Sequence, residues 1–158
     1  MFDTLDSVPW SRLRHAYGSA TDAPKWIRDL DSDDEDDRTE AINEFLWSSA
    51  FHQYTLYTAT PFVIPFVIEA LASPPLAERD DGLGHPMKRE LIHFLRMCAD
   101  GGQRRIYGDP DPRDLTIEDA ILSGRSLYER YGNDSDDRVR SDANWLCHFC
   151  DAYSNVAF

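Results

Sequence analysis

Cysteine is scarce in this chain: Cys98, Cys147 and Cys150 are three among 158 residues. So small and odd a set argues against a disulfide framework and suits a reducing compartment. Long apolar runs are missing too. The longest candidate, 60–72, is interrupted by Pro61, Pro65 and Glu69, whereas a membrane helix needs roughly 18 or more apolar residues. The opening Met1-Phe2-Asp3-Thr4-Leu5-Asp6 has neither the basic start nor the apolar stretch of a signal peptide. A cytoplasmic protein is the expectation. Positive charge is the third shortage, with 16 Lys and Arg against 29 Asp and Glu and a formal net charge of −13. Such a surface repels nucleic acid and anionic lipid, whose binding depends on cationic contacts. It attracts a basic protein and speeds the encounter.

Catalytic and metal signatures are also absent. There is no phosphate loop, no Gly-x-Ser-x-Gly elbow and no His-Glu-x-x-His zinc motif. The histidines His15, His52, His85, His93 and His148 show no His-x-x-x-His spacing, and His15 and His52 are expected to hydrogen-bond backbone. Cys147-His148-Phe149-Cys150 puts two thiols on one helical face, but zinc needs four ligands and no second pair exists. Buried small hydrophobes are the better reading. The segment Asp31–Asp37 packs six acids into seven positions, yet lacks the central glycine of a calcium loop. No cofactor, metal or catalytic residue is expected.

What is present is helical periodicity. No convincing alternating strand occurs, and no Asn-Gly or Asp-Gly turn joins two apolar runs. The pattern predicts one domain of helices near 9–17, 22–30, 34–50, 61–72, 86–99, 116–131 and 136–153. Asp22, Asp34, Thr60 and Thr116 stand at N-terminal positions. Ala41, Phe45, Leu46 and Ser49 trace one buried stripe, and Leu91, Ile92, Leu95 and Cys98 another. The connectors 51–59 and 101–114 read as loops.

Three segments share one grammar: an apolar helix, an acidic or polar turn, then a basic residue three before a small or apolar one. Their basic residues are Arg38, Lys88 and Arg140, about 50 residues apart, near the upper end of known helix-pair repeats. A helix pair cannot bury its apolar faces alone, so such pairs stack. The pattern Asp134-Ser135-Asp136-Asp137-Arg138-Val139-Arg140-Ser141-Asp142-Ala143 resembles HEAT and phycobilin-lyase-type HEAT-like repeats. Val8-Pro9-Trp10, His15-Ala16-Tyr17-Gly18-Ser19-Ala20 and the segment His52-Gln53-x-Thr55-x-Tyr57-x-Ala59-Thr60 are similar to a group of bacterial HEAT-repeat proteins. Tyr54 stands where that pattern leads one to expect glycine. The resemblance implies an all-α fold, a short α-solenoid of about three HEAT-like helix pairs, with a protein-binding role.

In such a stack the turns at Asp31–Asp37, Glu78–Asp81 and Asp134–Asp137 share one edge. Asp31, Asp33, Asp34, Glu35, Asp36, Asp37, Asp134, Asp136 and Asp137 are the partner-binding candidates there. The opposite edge presents Tyr54, Tyr57, Arg104, Arg105 and Tyr107, residue types enriched in binding surfaces. The expected function is non-catalytic binding of a protein partner. The reading is an immunity protein that neutralises a basic toxin or nuclease domain. A general adaptor is the alternative, and a relative of bilin lyases or DNA-repair glycosylases is a further one.

Overall fold

The computed structural model describes residues 1–101 and 106–156. Its first segment is not the helix expected over 9–17. A single tight turn, Trp10–Arg12, is followed by a small antiparallel hairpin of β1 (Arg14–His15) and β2 (Gly18–Ser19). Helix α1 (Ala23–Asp29) comes next, with Pro24 in its first turn. Asp22 does not cap it, because its carboxylate is taken by His15 and Trp26.

Helix α2 (Glu35–Glu40) is capped by Asp34, whose side chain accepts the Asp36 N–H at 2.9 Å. It runs on without a break into a π-wound segment, Ala41–Ala50. The wider winding shows in its bonds five residues apart. The hydroxyls of Ser48 and Ser49 donate to the carbonyls of Asn43 and Glu44, and the Phe51 N–H donates to Leu46.

The presumed aromatic loop is a hairpin of β3 (Phe51–His52) and β4 (Thr55–Tyr57). Helix α3 (Thr60–Leu71) follows. The Thr60 hydroxyl closes the hairpin by donating to Ala50 at 2.7 Å and accepting from the Tyr57 N–H. Pro65 lies inside α3 and can donate nothing to the carbonyl of Pro61. A short turn of helix, α4 (Pro74–Ala77), leads to α5 (Met87–Gly101). Beyond it, β5 (Ile106–Tyr107) returns to pair in parallel with β4. The helix expected over 116–131 is broken into α6 (Ile117–Leu122) and α7 (Arg125–Tyr131). Helix α8 (Asp137–Val156) ends the described chain.

These strands overturn the all-α class and, with it, the short α-solenoid of HEAT-like pairs. The fold is mostly helical with two small sheets. The sheets were missed because each strand spans two or three residues, too few for an alternating pattern. The β3–β4 turn also carries Gln53-Tyr54 at φ 49° and 63° in place of the glycine that announces such turns.

Helices α1, α3, α6 and α7 pack against the layer of α2 with its π segment, α5 and α8. One hydrophobic cluster fills the space between, from Phe2 to Cys150, with Phe45, Phe94 and Tyr128 among its largest fully buried side chains. Two tyrosines double as helix ends. Tyr128 donates to the Ile121 carbonyl of α6, and Tyr131 to the Leu71 carbonyl of α3, each at 2.7 Å. Among the described residues no helix is long and apolar enough to cross a membrane.

Gly124 stands at the α6–α7 break, just ahead of α7. A Cβ there would lie 2.6 Å from the buried Tyr128 hydroxyl. Gly124→Ala is expected to destabilise by about 1–3 kcal/mol through overpacking. Urea denaturation of the two proteins gives the sign directly.

Candidate partner-binding surface

The three acidic turns meet, and the reason is a set of cations threaded between them. Two turns share one hydrogen-bond scheme. Before α2, the Ser32 hydroxyl accepts the Asp34 N–H, and Arg38 reaches six residues back to the Ser32 carbonyl at 2.9 Å. Before α8, Asp134 accepts the Asp136 N–H, and Arg140 reaches six residues back to the Asp134 carbonyl at 2.8 Å. Asp136 caps α8 through the N–H groups of Arg138 and Val139. In the middle turn, Asp80 and Asp81 hold the backbone of Gly82 and Leu83 in the same manner.

The turns are then tied to one another. The Arg38 guanidinium also donates to the Asp80 carbonyl. Arg79 donates to the carbonyls of Asp31 and Ser32 and lies 3.6 Å from the carboxylates of Asp31 and Asp33. The Lys88 ammonium sits between Glu78 at 2.6 Å and Asp134 at 3.0 Å. Burial alone would lower its pKa, but the two carboxylates outweigh it and hold the group above its ordinary value. Arg89 lies 3.3 Å from Asp136, and Arg140 pairs with Asp137. Asp37 accepts from the Ser32 hydroxyl.

Much of the acidic edge is therefore spent on its own architecture. Among the described residues, the carboxylates of Glu35 and Asp36 are exposed and have no ion pair. They stand in the first turn of α2, where the helix dipole tolerates them.

The tyrosines lie at the far end. Helix α5 begins beside the acidic turns and ends at the approach to β5, about 20 Å away. Tyr57 and Tyr107 face each other in the β4–β5 register, with ring centroids 6.3 Å apart. Burial, with Tyr107 and Tyr17 nearby, pushes the Tyr57 phenol up, so it remains a neutral hydrogen-bonding group. Tyr54 is 62% exposed at the β3–β4 tip and leans on Phe51. Tyr17, 70% exposed, meets His52 edge-on. A pocket of about 200 Å³ is lined by Arg14, His15, Tyr57 and Tyr107. His15 accepts the Tyr17 N–H on Nδ1, so its Nε2–H points to Asp22 at 2.7 Å; it is a fixed strut. Arg104 and Arg105 lie outside the described residues.

A third arrangement was not foreseen. Asp142 is buried on α8 and accepts from His93 at 3.0 Å and Arg96 at 2.8 Å, both on α5. Trp47, on the π segment, donates to Glu90 of α5 at 2.9 Å. Around these bonds runs a belt of rings. Tyr54 touches Phe51, Phe51 touches Trp47, and Trp47 lies 5.6 Å from His93. Arg96 then covers Trp145 at 5.3 Å, and Trp145, Phe149 and Tyr153 stack along α8. The spacing of those last three, four residues apart, was the available sequence signal. Asp142 left none, because its depth comes from α5.

Burial holds the three thiols in their protonated form at neutral pH. It raises Cys98 and Cys147, and pushes Cys150 up to about 11. Among the described residues, no group of three His, Cys, Asp or Glu is placed to hold a metal ion. No family model, curated protein or solved structure matches the chain.

Burial pushes the Asp142 carboxyl up, but hydrogen bonds and charge from His93 and Arg96 reverse this and leave it below its ordinary value. Its stabilising contribution is thus present above about pH 4 and lost as pH falls through the depressed value. Asp142→Ala is expected to cost about 2–3 kcal/mol at neutral pH and to flatten the acid limb of stability, read by urea titration from about pH 7 to about pH 2. Tyr54→Gly removes roughly 1–2 kcal/mol of left-handed strain. It loses the Phe51 contact and adds unfolded-state freedom of similar size. Its melting temperature should stay within a few degrees of the parent.

Proposed function

We propose that the chain is a non-catalytic protein-binding module that takes a basic partner on its acidic edge. Within that class we propose an immunity protein that neutralises a cognate toxin, such as a nuclease domain. The observation that carries the reading is the gathering of three sequence-distant acidic turns onto one edge of a chain with net charge −13. A folded domain has no need of such an edge for solubility alone. Fixed by Arg79, Lys88 and Arg89, the edge is pre-organised, so little side-chain freedom is lost on docking. Its unpaired members, Glu35 and Asp36, steer a cationic surface towards it.

Free thiols suit a reducing compartment, and we place the protein in the cytoplasm. A partner that is nucleic acid or membrane is disfavoured by the same charge. The tyrosine end favours a second reading, an adaptor, because a second surface some 20 Å from the first leaves room for another partner.

Affinity purification with the proteins encoded beside it, followed by toxicity rescue, tests the immunity reading. A tight one-to-one complex and protection of cells are expected. Several weak partners and no protection would favour the adaptor. In the tight complex, Glu35→Lys with Asp36→Lys is expected to weaken binding about tenfold at low salt and to reduce its salt dependence, measured by titration calorimetry.

A further inference from the structure

The aromatic belt is left unused by the acidic edge, although both lie on the same helices. Trp145 is eight residues into α8, about 12 Å from the acidic turn that starts it. Trp47, Trp145 and Phe149 are half-buried against the core, and Tyr153, also half-buried, stacks on Phe149 beyond it. Tyr54 extends the belt from a residue at φ 63°, a conformation in which glycine would be unstrained. The ring's place is the surface, where it is 62% exposed.

We infer that the belt and the acidic edge form one cradle for arginine side chains of the basic partner. The inference rests on the proposed reading of the edge. Charge complementarity selects the occupant: cations drawn to the carboxylates arrive about two helical turns from Trp145, the near end of a belt that continues to Tyr153. The kind of seat is already visible. The planar Arg96 guanidinium lies over the Trp145 indole, with its charge answered by Asp142. Guanidinium stacks on aromatic faces better than the hydrated ammonium of lysine, so the cradle discriminates between the two cations. The acidic edge alone, reading only charge, does not.

The test titrates the full chain with deca-arginine, deca-lysine and deca-glutamate peptides, followed by calorimetry and tryptophan emission. Deca-arginine is expected to bind at least fivefold tighter than deca-lysine, and deca-glutamate not at all. Tyr54→Gly and Tyr153→Ala should each cut that preference about twofold to threefold while leaving deca-lysine unchanged. Tyr54→Phe keeps the ring and should keep the preference, which separates lost stacking from a disturbed fold. Glu35→Lys with Asp36→Lys should weaken both cationic peptides alike. Equal affinity for the two cationic peptides, or an unchanged preference in both tyrosine variants, overturns the belt and leaves the edge standing. If neither cationic peptide binds, or if deca-glutamate does, both readings fall.

Discussion

Three helix starts crowded with carboxylates repel one another unless cations are placed between them, and the rest of this structure depends on that placement. Arg38 is nearly buried and spends its guanidinium on carbonyls of two different turns. Lys88 holds Glu78 and Asp134 with one ammonium. Remove Lys88 and half-buried Asp134 keeps its desolvation cost without its cation; remove Arg38 and the carbonyls of Ser32, Asp33 and Asp80 lose their donors. With them in place, α2, α5 and α8 start from a common edge, and their outer faces form one layer. The Asp142 tie and the aromatic belt exist because that layer exists.

Most of the helices were legible for ordinary reasons, although 9–17 is not one and 116–131 is two. Asp34 and Thr116 do cap, and the apolar stripes through Phe45 and Leu95 do face the core. The recurrence of Arg38 and Arg140 was legible because each serves a local hydrogen-bond scheme within six residues of itself. The strands were not legible. Their pairing partners are set by tertiary placement: β5 joins β4 only after three intervening helices. Gly124 was passed over because the group that excludes a side chain there, the Tyr128 hydroxyl, reaches it only once the chain has folded.

The binding surface divides along the same line. Acids in a turn announce themselves, but their meeting on one edge was expected from a stack of repeats that the fold does not have; ion pairs of Arg79, Lys88 and Arg89 bring them together instead. How many would be consumed internally was not legible either, since that depends on Arg79, Lys88 and Arg89 arriving from another segment. Tyr54 stood out as a departure from an expected glycine, and its positive φ gives that departure a physical meaning. The ring belt needed three helices side by side before it could be seen.

The π-wound segment Ala41–Ala50 sets the phase of everything after it. In an α-helix each residue advances about 100° around the axis; wider winding advances each one less. The segment thereby works as a phase adjuster, delivering Trp47 to Glu90 and Phe51 to the hairpin from a helix whose start is pinned at the acidic edge. Tightening it to regular α winding would keep the core composition and rotate these side chains off their partners. The fold thus stores, in ten residues of unusual pitch, the angular alignment between its charged end and its aromatic one.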